Sequence, residues 1–155
     1  MTQPFLYSVE REYPHDVATL WSAWTDAAKL ESWYHPTDLS SLPGATTSEL
    51  QIGGLWTCAV DVPAFNMVAY FFGKYTNISE RTLLEHTMHY TQSAEEFATK
   101  DFTTPSHLVT VDFDPRGTST WVKYSQFGEM PEGQVDRTKA GMESYFDSLG
   151  NFLSA

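Results

Sequence analysis

The last quarter of the chain constrains the fold most, because its apolar residues repeat with the period of a helix. From about Pro131 onward, apolar side chains recur every three to four residues. The stripe consists of Val135, Thr138, Met142, Tyr145 or Phe146, Leu149, and Phe152 or Leu153. A helix of about 20 residues is roughly 30 Å long, since each residue adds about 1.5 Å. Such a helix is long enough to cover a whole β-sheet.

The region between about residues 47 and 127 has a sequence pattern typical of β-strands. The predicted strands are Thr47–Gln51, Leu55–Asp61, Asn66–Asn77, Arg81–Thr91, His107–Phe113 and Thr118–Phe127. Gly53-Gly54 and the segment Asp114–Gly117 consist of residues that favour tight turns, so each is predicted to join neighbouring strands as a hairpin. Strands that follow one another through short turns are antiparallel. The polar segment 92–105 is expected to be a mobile loop.

A strand and two short helices precede this region. Phe5–Tyr13 is predicted to be a strand. Asp16 and Asp26 have the positions of N-cap residues, the second opening a helix that runs from Ala27 to about Tyr34. Helices at both ends and strands between them predict an α+β architecture rather than a parallel α/β sheet. The length of 155 residues suits a single domain, residues 1–155.

Charge and composition exclude several classes of function. The net charge is −11, and the nine Lys and Arg residues are scattered singly. Nucleic-acid binding needs a basic face, so no nucleic-acid partner is expected. No apolar run approaches the ~20 residues that span a bilayer, and the N-terminus has no signal pattern, so a cytoplasmic protein is expected. Cys58 stands alone, which excludes an intrachain disulfide, and is expected to be a core residue.

The sequence lacks the familiar motifs of catalytic and cofactor sites. It contains no nucleophile elbow, no Gly-x-Gly-x-x-Gly and no P-loop, and no cofactor is expected. His86 and His89 are three residues apart, which on a strand directs them to opposite faces. No metal site is therefore expected.

The predicted strand Leu83–Tyr90 is the most informative polar element. One face carries Leu83, Glu85, Thr87 and His89, and the other carries Leu84, His86, Met88 and Tyr90. The concave face of a curved sheet then receives either Glu85 with His89, or His86. Burying any of these groups costs free energy unless a partner or a ligand satisfies it. The inward group is a candidate polar anchor for a ligand in an apolar pocket. The alternative is that it lies near the open end of the sheet and remains in contact with water.

Several motifs resemble, in order, those of one known family. The segment Thr19–Asp26 with Trp33–Pro36 is similar to VWxAWTD…WW-x-P, and Glu49–Trp56 is similar to L-x-P-GG-x-W. Further similar motifs are Gly73–Tyr75, Val109–Phe113, Thr120–Val122, and Gly141-Met142 followed by Leu149 and Leu153. The chain thus resembles the proteins related to the activator of heat-shock-protein ATPase, a branch of the START-like (SRPBCC), birch-pollen-allergen-like superfamily. It departs from the pattern at Met142 and Tyr34, where Trp is usual, and at Ile52, where Pro is usual.

This resemblance implies a helix-grip fold, a curved antiparallel sheet wrapped on the long C-terminal helix, with a cavity between them for apolar molecules. The residues expected to line or anchor such a cavity are Trp33, Trp56, Phe71, Tyr75, Glu85, His86, His89, Trp121, Met142, Tyr145 and Phe146. The alternative is that the large side chains fill a dry core. The family-like register favours the Glu85 face of its strand. Gly141, in mid-helix, either lets the backbone approach a ligand or a strand, or is a neutral local choice.

Three functions follow as hypotheses. The first is the binding of a small apolar or aromatic ligand in the cavity. The second is a protein-interaction role like that of a co-chaperone, which the resemblance implies only through the family name. The third is a cyclase- or hydrolase-type enzyme, for which Glu85 and His89 could supply two ionisable groups on one face. A homodimer through exposed aromatic strands is a further possible assembly.

Overall fold

A computed structural model describes residues 3–155 of the chain. Its strands are β1 (Phe5–Tyr13), β2 (Ser40–Ser41), β3 (Thr47–Ser48), β4 (Leu55–Val62), β5 (Met67–Ser79), β6 (Leu83–Thr91), β7 (His107–Arg116) and β8 (Ser119–Phe127). Its α-helices are α1 (Val17–Thr25), α2 (Ala27–Trp33), α3 (Ala94–Thr99) and α4 (Gln134–Ser154). A single 3₁₀ turn, Pro63–Phe65, joins β4 to β5. The predicted α+β class is confirmed.

The strands of the described residues form one curled antiparallel sheet. Its order is β1-β8-β7-β6-β5-β4-β2, and β3 pairs with β4 beside β2. Register shifts interrupt the β1–β8 pairing and the β5–β6 pairing. Such irregularities bend a strand and increase its twist, which helps the sheet to curl. Helix α4 packs along this sheet and contacts β1 and α2, so the predicted helix-grip arrangement is also confirmed.

Two aspartates begin the short helices as the sequence predicts. The Asp16 carboxylate accepts a hydrogen bond from the Thr19 backbone N–H at 2.9 Å. The Asp26 carboxylate accepts one from the Lys29 backbone N–H at 3.1 Å. Each bond satisfies a backbone donor that the helix itself leaves free. The two helices can therefore follow each other across a single residue and bury their tryptophans together.

The core lies between the sheet, α1, α2 and the C-terminal half of α4. Phe146 and Leu149 of α4 are fully buried there. The Trp33 indole N–H donates to the Ala23 carbonyl at 2.8 Å, so this large side chain is buried with its polar atom satisfied. Cys58 is buried in β4, as expected, and burial raises the pKa of its thiol well above the usual value. This thiol has the environment of a structural residue rather than of a nucleophile.

Two local predictions were wrong. The segment 92–105 contains α3, which Ser93 caps by accepting from the Glu96 N–H at 3.2 Å. Phe97 of α3 stacks on Tyr70 of β5 and fixes the segment to the outer face of the sheet. A six-residue helix is too short for periodicity to reveal. The predicted strand Thr47–Gln51 shrinks to β3, because its later residues form the turn into β4.

Candidate functional site

A cavity of about 730 Å³ lies between the concave face of the sheet and the first half of α4. The sheet contributes Tyr7, Phe71, Met88, Tyr90, Tyr124 and Gln126, and α4 contributes Gln134, Thr138, Gly141, Met142 and Tyr145. Tyr34 closes one side, while residues 105–107 and 128–131 form the rim together with Gln3 and Pro4. The volume is within the range of about 300–1,000 Å³ that small-molecule sites have. Aromatic and thioether side chains make up most of the inner wall.

Two of the residues that the first half of α4 places on the cavity, Thr138 and Gly141, are small and leave space between the helix and the sheet. A Cβ atom added to Gly141 would have no other atom within 4 Å. No strand therefore needs to approach the helix at this position, which removes one of the two structural reasons for a glycine here. Glycine in mid-helix costs about 1 kcal/mol against alanine. The space that this residue leaves belongs to the cavity.

Three of the expected cavity residues lie on the wall: Phe71, Met142 and Tyr145. Four others are buried behind it and belong to the packed core: Trp33, Trp56, Tyr75 and Phe146. The Tyr75 hydroxyl pairs with the Ser48 hydroxyl at 2.7 Å, and burial raises its pKa to about 12. Trp121 lies outside the wall, with the Arg116 guanidinium 4.6 Å from its ring centroid. The expectation that all of these large side chains reach the cavity was too broad.

Strand β6 directs His86, and not Glu85, toward the interior. The His86 ring stacks on Trp56 with a centroid separation of 3.9 Å, and its Nδ1–H donates to the Thr87 carbonyl at 2.8 Å. Burial lowers the pKa of His86 to about 4, so the ring is neutral near pH 7. The preference for the Glu85 face was therefore wrong, because β6 alternates with the opposite phase. His86 is a buried core residue and does not line the cavity.

Glu85 and His89 occupy the outer face of the sheet. The Glu85 carboxylate accepts a hydrogen bond from the Thr76 hydroxyl at 2.8 Å. The His89 ring stacks on Phe72 at 4.7 Å and also contacts the ring of Phe102. These two groups share a face, as predicted, but that face is the one that α3 and the following segment cover.

A chain of hydrogen bonds follows one wall of the cavity, and sequence reasoning missed it. The Tyr7 hydroxyl donates to Oε1 of Gln126 at 2.5 Å, and Nε2 of Gln126 donates to Nδ1 of His107 at 2.6 Å. Nε2 of His107 then donates to the Glu129 carbonyl at 2.9 Å. Gln126 follows Val122 and Tyr124 in the inward series of β8, and this alternation was the signal that could have revealed it.

Gly128 leaves room for His107, the histidine in this series of hydrogen bonds. Its φ is +150°, and an added Cβ would lie 2.3 Å from Cδ2 of His107. Any side chain at this position would displace the imidazole. The rim of the cavity is therefore shaped by a residue that contributes only backbone.

Tyrosine hydroxyl groups supply most of the polarity of the inner wall. Burial raises the pKa values of Tyr7, Tyr34, Tyr124 and Tyr145, so all four phenols stay protonated at neutral pH. The Tyr124 hydroxyl is fully buried and lies beside the hydroxyl groups of Tyr34 and Tyr7, with which it interacts.

Comparison with known proteins identifies the family. Residues 14–154 match the sequence profile of a family described as "Activator of Hsp90 ATPase homolog 1-like protein". The chain belongs to this family. The Activator of Hsp90 ATPase homolog 1-like assignment agrees with the helix-grip fold and with the resemblance seen in the sequence motifs. No curated protein matches the chain with significance.

Several solved structures have a similar fold. An AHSA1 protein from Silicibacter pomeroyi aligns with a TM-score of 0.77 at 16% identity over 96% of both chains. A protein from Chromobacterium violaceum aligns with a TM-score of 0.78 at 14% identity over 96% of both chains. A protein from Arthrobacter aurescens aligns with a TM-score of 0.77 at 21% identity over 95% of this chain and 84% of the other. At these identities the likeness establishes the fold alone.

Two further properties concern the described residues. Within residues 3–155, no group of three His, Cys, Asp or Glu side chains is arranged to hold a metal ion. None of the helices found there has the length and apolar character that crossing a membrane requires.

Proposed function

We propose that this protein binds a small, mainly apolar or aromatic molecule in the cavity between the sheet and α4. The observation that carries the proposal is the cavity itself, about 730 Å³ with an inner wall of Tyr, Phe and Met side chains. Apolar walls of this kind favour ligands by removing apolar surface from water, and a few polar groups fix their orientation. The unbranched methionine side chain is flexible, so Met88 and Met142 can adjust their conformations to a bound ligand.

The position of Glu85 and His89 argues against the enzymatic alternative. These residues were the pair expected to supply acid–base chemistry, and both lie on the outer face of the sheet. Among the described residues that line the cavity, Glu129 is the only carboxylate and His107 the only imidazole, and both ring nitrogens of His107 are already hydrogen-bonded, to Gln126 and to the Glu129 carbonyl. Acid–base catalysis needs a group within hydrogen-bond reach of the reacting atom. Binding without turnover is therefore the function that the wall supports best.

The distribution of exposed apolar side chains favours the cavity over a protein-interaction surface. Phe5 is exposed at the start of β1, and Tyr90 belongs to the cavity wall. Leu50 and Ile52 are exposed in the turn before β4, and Phe65 is exposed in the turn after it. These two turns lie at opposite ends of an eight-residue strand, a separation of roughly 26 Å. They do not form one continuous patch of the kind that marks a docking site.

The proposal can be tested by filling the cavity at one position. We expect wild-type protein to bind the neutral fluorescent probe N-phenyl-1-naphthylamine, and Met142→Trp to bind it at least about tenfold more weakly. Tryptophan is the residue usual at this position in the family pattern, so the variant should fold. Met142→Leu, which conserves volume, is the matched control and should bind like wild type. Equal binding by all three proteins would contradict the proposal.

Native mass spectrometry of the purified protein gives an independent readout. A small mass that is lost on denaturation, and that Met142→Trp no longer retains, would identify the physiological ligand. The same spectrum measures the mass of the assembly, which tests whether the chain forms a homodimer.

A further inference from the structure

We propose that the hydroxyl group of Tyr145 anchors the ligand, and that the ligand is a neutral molecule with an oxygen, such as that of a ketone or an alcohol, at the end that enters the cavity first. This inference rests on the proposed function, because it names the chemical class of the ligand and its orientation in the same cavity. Three observations carry it: the unpaired hydroxyl of Tyr145, its place at the inner end of the cavity, and the charges around the wall.

The first observation is that the Tyr145 hydroxyl forms no hydrogen bond with the residues that the structure describes. Burial raises the pKa of this phenol, and no hydrogen bond lowers it. The side chain nevertheless retains accessible surface. Because protein surrounds the ring and Tyr145 lines the cavity, that surface faces the cavity rather than the exterior. The hydroxyl is therefore within reach of a ligand, to which it can donate a hydrogen bond.

Neighbouring polar groups of the inner wall are less available to a ligand. The Tyr7 hydroxyl donates to Oε1 of Gln126 at 2.5 Å, and the hydroxyls of Tyr34 and Tyr124 interact with each other. The Gln126 amide keeps one N–H unused, but only 3% of this residue is exposed. Tyr145 thus combines an unpaired donor with a surface that a ligand can touch.

The second observation is the position of Tyr145 along the cavity. It is the last residue of α4 on the wall, and Gln134 is the first. The helix between them spans roughly 16 Å. The rim residues Met130 and Pro131 directly precede this helix, so Tyr145 lies at the inner end, where the edge of one ring meets the face of the other in its contact with Tyr34 at 4.9 Å. A ligand oxygen that reaches Tyr145 therefore enters first, and the apolar remainder of the ligand lies toward the rim.

The third observation concerns charge. Of the described residues that line the cavity, none is Lys or Arg, and the chain as a whole has a net charge of −11. A carboxylate at the inner end would have to be desolvated without a cationic partner, which is costly. A neutral oxygen accepts the hydrogen bond of Tyr145 without this cost.

Three probes of nearly equal shape test the class of the ligand. The probe 2-acetylnaphthalene carries a neutral oxygen, 2-ethylnaphthalene lacks it, and 2-naphthoate carries a negative charge. Displacement of N-phenyl-1-naphthylamine measures the affinity of each. We expect wild-type protein to bind 2-naphthoate about a hundredfold more weakly than 2-acetylnaphthalene.

Tyr145→Phe tests the anchor. It should reduce the affinity for 2-acetylnaphthalene about tenfold, as the loss of one hydrogen bond does, and leave the affinity for 2-ethylnaphthalene unchanged. The variant should fold normally, because the hydroxyl that it removes forms no hydrogen bond within the described residues. Tyr13→Phe is the matched control: the Tyr13 hydroxyl donates to the Phe146 carbonyl at 2.8 Å outside the cavity. It should change the affinity for neither probe.

The orientation can be measured in wild-type protein, without a variant. Met142 precedes Tyr145 by one helical turn, so its side chain neighbours the anchor, whereas Met130 belongs to the rim. With 2-acetylnaphthalene bound, the acetyl methyl group should give a nuclear Overhauser effect to the methyl group of Met142 and none to that of Met130. The reverse pattern would overturn the inference.

The remaining outcomes separate the inference from the proposed function. If Tyr145→Phe binds 2-acetylnaphthalene as tightly as wild type does, or if 2-naphthoate binds as tightly as the acetyl compound, the inference is wrong. The cavity remains the binding site in either case, provided that Met142→Trp still weakens binding. Failure of all three probes to bind, or binding that Met142→Trp does not reduce, would contradict the proposed function itself.

Discussion

The two ends of helix α4 meet the same sheet in opposite ways. At the packed end, residues 146–153, Phe146 and Leu149 are fully buried, and Phe146 lies against the rings of Tyr13 and Trp24. At the open end, residues 134–145, Thr138 and Gly141 face the cavity. The comparison shows that the packed end holds the helix in place, so that the open end can remain unfilled.

Leaving space at the open end costs stability. Cavities lower stability in proportion to the contacts that they remove. A chain under no demand for binding could gain stability by placing larger side chains on this half of the helix. The contrast therefore predicts that substitutions at the two ends affect stability and binding differently.

The largest effect is expected at the packed end. Phe146→Ala should lower the free energy of unfolding by about 3–5 kcal/mol, because it removes a fully buried ring from an aromatic cluster. Urea denaturation followed by tryptophan fluorescence measures this. A loss below about 1 kcal/mol would mean that the packed end is not the anchor that the contrast requires.

The next effect tests whether His86, which is buried beside the cavity, is shielded from water. His86 has a pKa of about 4 when folded and an ordinary value of 6.5. The unfolded state therefore binds the proton first, and stability falls as the pH drops below 6.5 and levels off below about 4. Lowering the pH from about 7 to about 5 should remove roughly 2 kcal/mol through this group.

The His86→Phe variant isolates this contribution, because it keeps a ring against Trp56 but cannot titrate. Its stability relative to wild type should rise by the same roughly 2 kcal/mol between these two pH values. Denaturation curves of both proteins at each pH give the difference. A difference that does not change with pH would place His86 in contact with water from the cavity.

A smaller effect distinguishes the two ends most sharply. Gly141→Ala should raise stability by about 0.5–1 kcal/mol, because alanine favours the helix and its Cβ meets no other atom. It should also weaken probe binding, because that Cβ enters the cavity. Gly150→Ala, at the packed end, is the matched control.

An added Cβ at Gly150 would lie 3.5 Å from the Tyr13 ring, an ordinary contact. Gly150→Ala should therefore raise stability similarly and leave binding unchanged. Thermal denaturation and probe titration of both variants provide the comparison. Unchanged binding in Gly141→Ala would show that the ligand does not approach the helix at this position.

The smallest effect concerns the ion pairs that join β1 to α4. Arg11 contacts Asp147 at 2.6 Å and Glu143 at 3.0 Å, and these side chains are partly exposed. Asp147→Asn should cost about 0.5 kcal/mol, since solvent screens such pairs. The cost should diminish at about 1 M salt. A salt-independent cost would point to packing rather than charge.

Local chemistry explains why much of the fold could be predicted from the sequence. The N-caps Asp16 and Asp26 act within three residues of themselves, and both were predicted. The apolar stripe of α4 repeats over many residues and identifies the long helix. Helix α3 escaped prediction because its main apolar contact, Phe97 on Tyr70, is made across the chain.

The candidate site was harder to predict than the fold. Alternation along β6 defined two faces correctly but could not say which of them faces α4, and the choice of Glu85 over His86 was wrong. The chain from Tyr7 through Gln126 to His107 joins residues more than a hundred positions apart. Alternation along β8 marks Gln126 as an inward residue, but no local pattern encodes its contact with Tyr7. It follows from sheet order, which places β1 beside β8 and β8 beside β7.

One measurement tests the central claim, that the open end of α4 is a binding site, most directly. Met88, Met130 and Met142 line the cavity, whereas Met67 begins β5 and is not part of its wall. In protein labelled with ¹³C at the methionine methyl groups, titration with N-phenyl-1-naphthylamine should shift the NMR signals of the three cavity methionines and leave that of Met67 in place. Signals of the cavity methionines that stay unmoved at saturating probe, or a Met67 signal that shifts as much as theirs, would contradict the claim.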